Sequence, residues 1–184
     1  MTRILLAALL LWPSLALAEP HCRPGEIPDA KCSPGVVASA DEEDVCGIVH
    51  GQSYSKRHRQ TPAGLKSLIK RRYGQAGNFG DAEIDHIVPL SLGGEDSVYN
   101  LFWQPGYGQG YRFTYHEKDQ IEVWAWRQVC KLHSMPLAEA QAIFMAPDWR
   151  VQYCARIGGP ACATAQPAAA DARSQPADRR SHSR

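Results

Sequence analysis

Glu83-Ile84-Asp85-His86-Ile87-Val88-Pro89-Leu90-Ser91-Leu92-Gly93-Gly94, followed by Asn100-Leu101, is the stretch on which the reading of this 184-residue chain turns. Residues 82–88 carry β-branched side chains between Gly80 and Pro89, and 100–103 form a second short apolar run beyond the Gly-Gly pair. Two such runs joined by a glycine-bearing connection predict a β-hairpin with a long loop. The first run closes on an acid next to a histidine, Asp85-His86. Side chains of adjacent strand residues point to opposite faces, so these two groups can take separate tasks from one strand end.

On both sides of the hairpin the spacing of apolar residues is helical. Thr61-Pro62 is a natural helix start, and Leu65, Leu68, Ile69 and Tyr73 recur at helical intervals until Gly74 supplies a stop. Tyr115 to Lys131 places Ile121, Trp124, Ala125 and Val129 three and four residues apart, with Leu132 just beyond. Leu137 to Met145 is a further helix, and Pro147 can open a last one carrying Trp149 and Tyr153 on one side. Trp103, Trp124, Trp126 and Trp149 read as core or half-buried packing. No internal repeat occurs.

Asp85-His86, the Pro89 and Gly93-Gly94 loop, Asn100-Leu101 and His116-x-Lys118 together resemble the HNH nuclease family, and more closely its secreted members with tryptophan-rich C-terminal helices. The resemblance covers roughly residues 46 to 153. It implies an α+β fold in which a ββα-metal hairpin and helix is packed with additional helices. It further implies one divalent metal and cleavage of phosphodiester bonds in DNA or RNA. On that assignment His86 is the general base, Asp85 and His116 hold the metal, and Asn100 fixes the loop through backbone hydrogen bonds. Oxygen-rich ligation favours Mg²⁺ or Mn²⁺, and extra histidine ligation Zn²⁺ or Ni²⁺. From His86 to Asn100 the spacing of 14 suits the family, whereas the 16 from Asn100 to His116 is longer than its compact form. The surplus is Pro105-Gly106-Tyr107-Gly108-Gln109-Gly110-Tyr111, a loop that is either a plain insertion or a presenter of tyrosines for base stacking.

The residues constrain the setting independently. Arg3, the apolar run Ile4 to Leu11 and the ending Ala16-Leu17-Ala18 read as a cleavable signal over 1–18, so the protein is expected to be secreted or periplasmic with no membrane span in its mature form. Cys22, Cys32, Cys46, Cys130, Cys154 and Cys162 all follow that signal, and an even count in an exported chain favours disulfides whose connectivity the sequence leaves open. Residues 19–45 form an irregular arm rich in Pro and Gly, 46–162 the HNH-like domain, and 163–184 an Ala/Pro/Ser/Arg tail without large apolar side chains, expected to be disordered.

Without Arg3 the cations and carboxylates balance, so affinity for nucleic acid has to come from clustering. Lys56, Arg57, Arg59, Lys66, Lys70, Arg71 and Arg72 put seven cations within 17 residues, enough to neutralise phosphates. Lys56, Arg57, Arg59, Lys70 and Arg71 are the candidate nucleic-acid contacts, together with Lys118, which either contacts phosphate or pairs with an acid. The partner implied is a nucleic acid, and no protein partner can be inferred. Two rivals remain: a non-catalytic exported module that binds nucleic acid or another polyanion on the same scaffold, and a hydrolase acting on another substrate.

Overall fold

In the computed structural model, residues 21–74 and 80–163 are described. The expected signal at 1–18 and nearly all of the expected tail lie outside them. The chain is a mixed α+β fold. Its elements run α1 (Glu42–Cys46), α2 (Tyr54–His58), α3 (Ala63–Arg72), β1 (Ala82–His86), β2 (Leu101–Pro105), α4 (Tyr115–Cys130), α5 (Leu137–Met145) and α6 (Trp149–Arg156), with single 3-10 turns at Leu90–Leu92 and Pro160–Cys162.

β1 and β2 pair antiparallel, from Ala82 opposite Pro105 to His86 opposite Leu101. Because the side-chain period is two, Ala82 and Ile84 turn to one face and Glu83 and Asp85 to the other. The first face packs with Leu65 and Ile69 of α3 and with Tyr73 just beyond it, where Leu101, Trp103 and the Cys22–Cys32 bridge complete a small core. That apolar face explains why α3 forms where its spacing predicts. Its start differs from expectation in one respect: the helix begins at Ala63 with no side-chain cap, because the Thr61 hydroxyl is committed to Asp96 instead.

The larger core lies among α4, α5 and α6. Ile121, Ala125 and Val129 make one fully buried stripe of α4, as four-residue spacing dictates, against Leu137, Ala140, Ile143 and Phe144 of α5. Phe113, Trp149 and Tyr153 meet edge to face at centroid distances near 6 Å. A capping box starts α4: the Thr114 hydroxyl accepts from the His116 amide, while the Glu117 carboxylate accepts from the Thr114 amide at 2.8 Å. Trp103 and Trp149 are buried, and Trp124 and Trp126 pack half-buried on this core.

All six cysteines are paired: Cys22–Cys32, Cys46–Cys130 and Cys154–Cys162. Among the described residues, no helix is long and apolar enough to cross a membrane. The arm expected at 19–45 has no regular element from residue 21 to Asp41, its last residues belong to α1, and it is not a loose tether. Gly35 donates to Tyr99 O, Ala38 and Ser39 donate to Gly93 O, and the Ser33 hydroxyl donates to Leu101 O at 2.6 Å. The arm therefore borders the hairpin connection on its open side. Further along, Glu26 accepts from the Arg112 and Phe113 amides and pairs with Arg150, and its carbonyl accepts from the Trp149 indole, tying the arm to α6.

Candidate functional site

The connection between β1 and β2 is organised by one side chain. Asn100 is completely buried; its Oδ1 accepts from the Val36 and Val88 amides at 3.1 and 2.9 Å, and its Nδ2 donates to Val88 O and Glu95 O at 2.9 and 2.8 Å. The amide oxygen accepts twice and the amide nitrogen donates twice, so its hydrogen-bonding capacity is used in closing the loop. Gly94 has to be glycine, since a Cβ there would sit 1.9 Å from Val88 O.

This closed loop brings Asp96 back onto the end of β1. His86 is 5% exposed, and its Nε2 lies 2.8 Å from Asp96 Oδ1. Asp96 also accepts from the Gln60 amide at 2.6 Å and the Thr61 hydroxyl at 2.5 Å. Burial alone would raise the Asp96 carboxyl, but hydrogen bonds from Thr61, His86 and Gln60 outweigh it and hold the group ionised. Burial lowers His86 by more than Asp96 raises it, so the ring is neutral at pH 7. Assigning the Nε2 proton to the bond with Asp96 leaves the lone pair on Nδ1. Asp96 was missed by sequence reasoning; its only local sign is an acid in the glycine-bearing loop just before Asn100.

Asp85 leaves the other face of β1. Its Oδ1 accepts from the His86 amide at 2.8 Å, and its Oδ2 takes a 2.6 Å bond from Lys118 Nζ. Lys118 comes from the first turn of α4 and is 1% exposed; its ammonium also donates to His86 O at 2.6 Å and to Glu122 one turn further on. Burial by itself would lower this lysine, but the Asp85 and Glu122 carboxylates reverse that and keep it charged. Burial also pushes Glu122 up, against the pull of the ammonium. Of the two roles open to Lys118 from the sequence, the structure shows pairing with acids: no free N–H remains for phosphate.

Asp85 and Glu122 also line a cleft of about 450 Å³. Glu83 and Asp85 of β1 and Asp119 and Glu122 of α4 line it, together with Arg59 and with Lys66 and Lys70 of α3. Of the expected nucleic-acid contacts, Arg59 and Lys70 therefore face the cleft, together with Lys66. Arg57 is instead spent on Asp44, at 2.9 Å to its carboxylate and 2.8 Å to its carbonyl, while Lys56 and Arg71 are exposed outside the cleft lining.

Glu83 is pushed up to about 7 from 4.5, by burial first and then by Asp85 and Asp119. Between those two values the folded chain holds a proton that the unfolded chain has lost, so stability falls as pH rises across that window and stays reduced above it. Glu83→Gln is expected to unfold with the same free energy as wild type at pH 4 and to be more stable by about 1 kcal/mol at pH 8, a value reduced for the side chain's partial exposure. Denaturant midpoints at the two pH values check this, and a gap that does not widen with pH refutes it.

His116 has a different set of contacts. It lies 3.9 Å from Asp81, stacks on the exposed Tyr107 with ring centroids 4.2 Å apart, and leans on Tyr115. Asp81 organises this corner by accepting from the Tyr107 amide and the Tyr115 hydroxyl, both at 2.7 Å. As placed, the expected pair of Asp85 and His116 does not fit a shared metal. Asp85 Oδ1 accepts from an amide and Oδ2 from a buried ammonium that already supplies a positive charge, His116 lies against Asp81, Tyr107 and Tyr115, and no group of three or more His, Cys, Asp or Glu that could hold an ion is found among the described residues. No family model, curated protein or solved structure matches the chain.

Proposed function

We propose that this chain is an exported endonuclease that hydrolyses phosphodiester bonds of DNA or RNA. The observation that carries the reading is the Asp96–His86 pair itself, a histidine held by a carboxylate, joined through Gln60 and Thr61 to the segment that bears the cleft-lining Arg59. It is supported by the order of elements, a strand pair followed by a helix that packs back on β1, and by the resemblance of Asp85-His86 and Asn100 to HNH nucleases.

Hydrolysis needs a deprotonated water, charge stabilisation at phosphorus and a proton for the leaving oxygen. Arg59, Lys66 and Lys70 would hold the phosphate and offset the charge gathering on its oxygens. His86 Nδ1 would take the proton as water oxygen bonds to phosphorus, and the ionised Asp96 would stabilise the imidazolium. As the P–O bond to the departing sugar oxygen breaks, the imidazolium returns the proton to it. Asn100 acts through the loop as a positioning residue. The expected metal is given no step, because the residues assigned to it have other partners.

A second reading is favoured by one feature. His86 is only 5% exposed, which suits a scaffold that binds polyanions through the basic residues of the cleft without cutting them. Plasmid and single-stranded RNA cleavage by wild type and His86→Ala, assayed with Mg²⁺, Mn²⁺, Zn²⁺ and EDTA, separates the two. The nuclease reading expects cutting by wild type that the variant loses by at least about a hundredfold. Salt-sensitive binding with no cutting under any condition supports the binding module instead.

A further inference from the structure

Lys118 is an expensive residue for its position. A four-carbon stem ending in an ammonium is buried between a strand end and a helix, where an apolar side chain of similar volume commonly gives equal or better stability. Its three N–H donors are fully and separately used: on the Asp85 carboxylate, on the His86 carbonyl, and on Glu122. The stem passes the Phe102 and Phe144 rings, with the ammonium 5.9 and 5.6 Å from their centroids, so the charge reaches the carboxylates through an apolar collar. What results is a single positive centre bound to oxygens of β1 and α4 together, the arrangement that oxygen ligands would give a small hard cation.

We propose that the Lys118 ammonium is the permanent cation of this site: it takes the place of a divalent metal at the junction of β1 and α4, and the chemistry of the cleft proceeds without added metal. The proposal rests on the nuclease reading for its second part only. An incoming ion would have to displace a buried ammonium and leave it unpaired, a penalty of at least about a hundredfold in affinity. The ammonium meanwhile does part of what a metal would do. By gripping the His86 carbonyl and the Asp85 carboxylate that accepts the His86 amide, it fixes the backbone on both sides of the imidazole. Lys118 is thus a positioning residue, and the proton transfers of hydrolysis, from water to His86 and from His86 to the leaving oxygen, balance without it.

The test has two parts on the full wild-type chain and one on a variant. Titration of wild type with Mn²⁺, followed by electron paramagnetic resonance and by thermal unfolding, is expected to show no stoichiometric site and no shift. Stoichiometric binding that Asp85→Asn abolishes overturns the proposal. Cleavage in EDTA is expected within about twofold of the rate in Mg²⁺. Activity lost in EDTA and restored by Mn²⁺ overturns it as well. Absence of cutting in every condition removes the nuclease reading, and the Mn²⁺ titration then decides on Lys118 alone. Lys118→Met frees both carboxylates, so the folded variant is expected to gain Mn²⁺-dependent thermal stabilisation. A folded variant that binds no Mn²⁺ overturns the proposal, and if the variant fails to fold the wild-type arms still decide.

Discussion

Asn100→Ala is expected to lose about 3 to 5 kcal/mol of stability, with the urea midpoint falling and the slope unchanged. The side chain makes four hydrogen bonds to backbone groups of the arm and the loop, and none of its atoms is exposed. Truncation leaves two amides and two carbonyls without partners, and each such group, when buried, costs roughly 1 to 3 kcal/mol less whatever water recovers. Asn100→Asp keeps the acceptor for Val36 and Val88 but loses both donors, so it should fall between wild type and alanine. On the nuclease reading, cleavage by either variant should drop further than its stability, since the loop that Asn100 closes delivers Asp96 to His86. An alanine variant within about 1 kcal/mol of wild type would show that the loop closes without this side chain.

Removing the bridge between α1 and α4 should have a comparable effect. Cys46 and Cys130 are separated by 84 positions, whereas the Cys22–Cys32 and Cys154–Cys162 bridges span 10 and 8. Loop closure in the unfolded chain scales with the logarithm of that span, which gives about 4.5 kcal/mol for the long bridge and about 2.5 for each short one. The serine double variants should therefore rank in thermal stability with Cys46→Ser/Cys130→Ser lowest by a clear margin. If a short-bridge variant is the less stable, entropy of the unfolded chain does not set the order, and the local contacts of the arm or of α6 do.

Much of the architecture was legible because it is written in local periodicity. Ile84, Ile87 and Val88 mark the first strand, although the ladder ends at His86, two residues before the expected limit. The four-residue repeat of Ile121, Ala125 and Val129 marks α4, and α5 spans the expected residues 137–145. The five-residue helices α1 and α2 were not foreseen, since one turn and a half carries no period to detect.

The partners of the site were the least legible part. Asp96 reaches His86 across ten positions, Lys118 reaches Asp85 across 33, and Asp81 meets His116 through a corner built on Tyr107 and Tyr115. These pairings depend on where loops return in space, which residue order does not encode. The cation cluster from Lys56 to Arg72 divided for the same reason, with Arg57 drawn to Asp44 while Arg59, Lys66 and Lys70 took the cleft.

The seam along residues 33–39 sets a condition on how this molecule comes into being. Ser33 and Val36 find their mates 68 and 64 positions downstream, so this seam closes only once the second strand of the hairpin is in reach. Contacts of that reach slow folding, because distant ends must meet before either gains anything. A shortened version of the protein meant to keep the hairpin intact has to begin ahead of Ser33. One that starts at the first helix would leave the rim of the hairpin with bare amides and a seat for Asn100 only partly built.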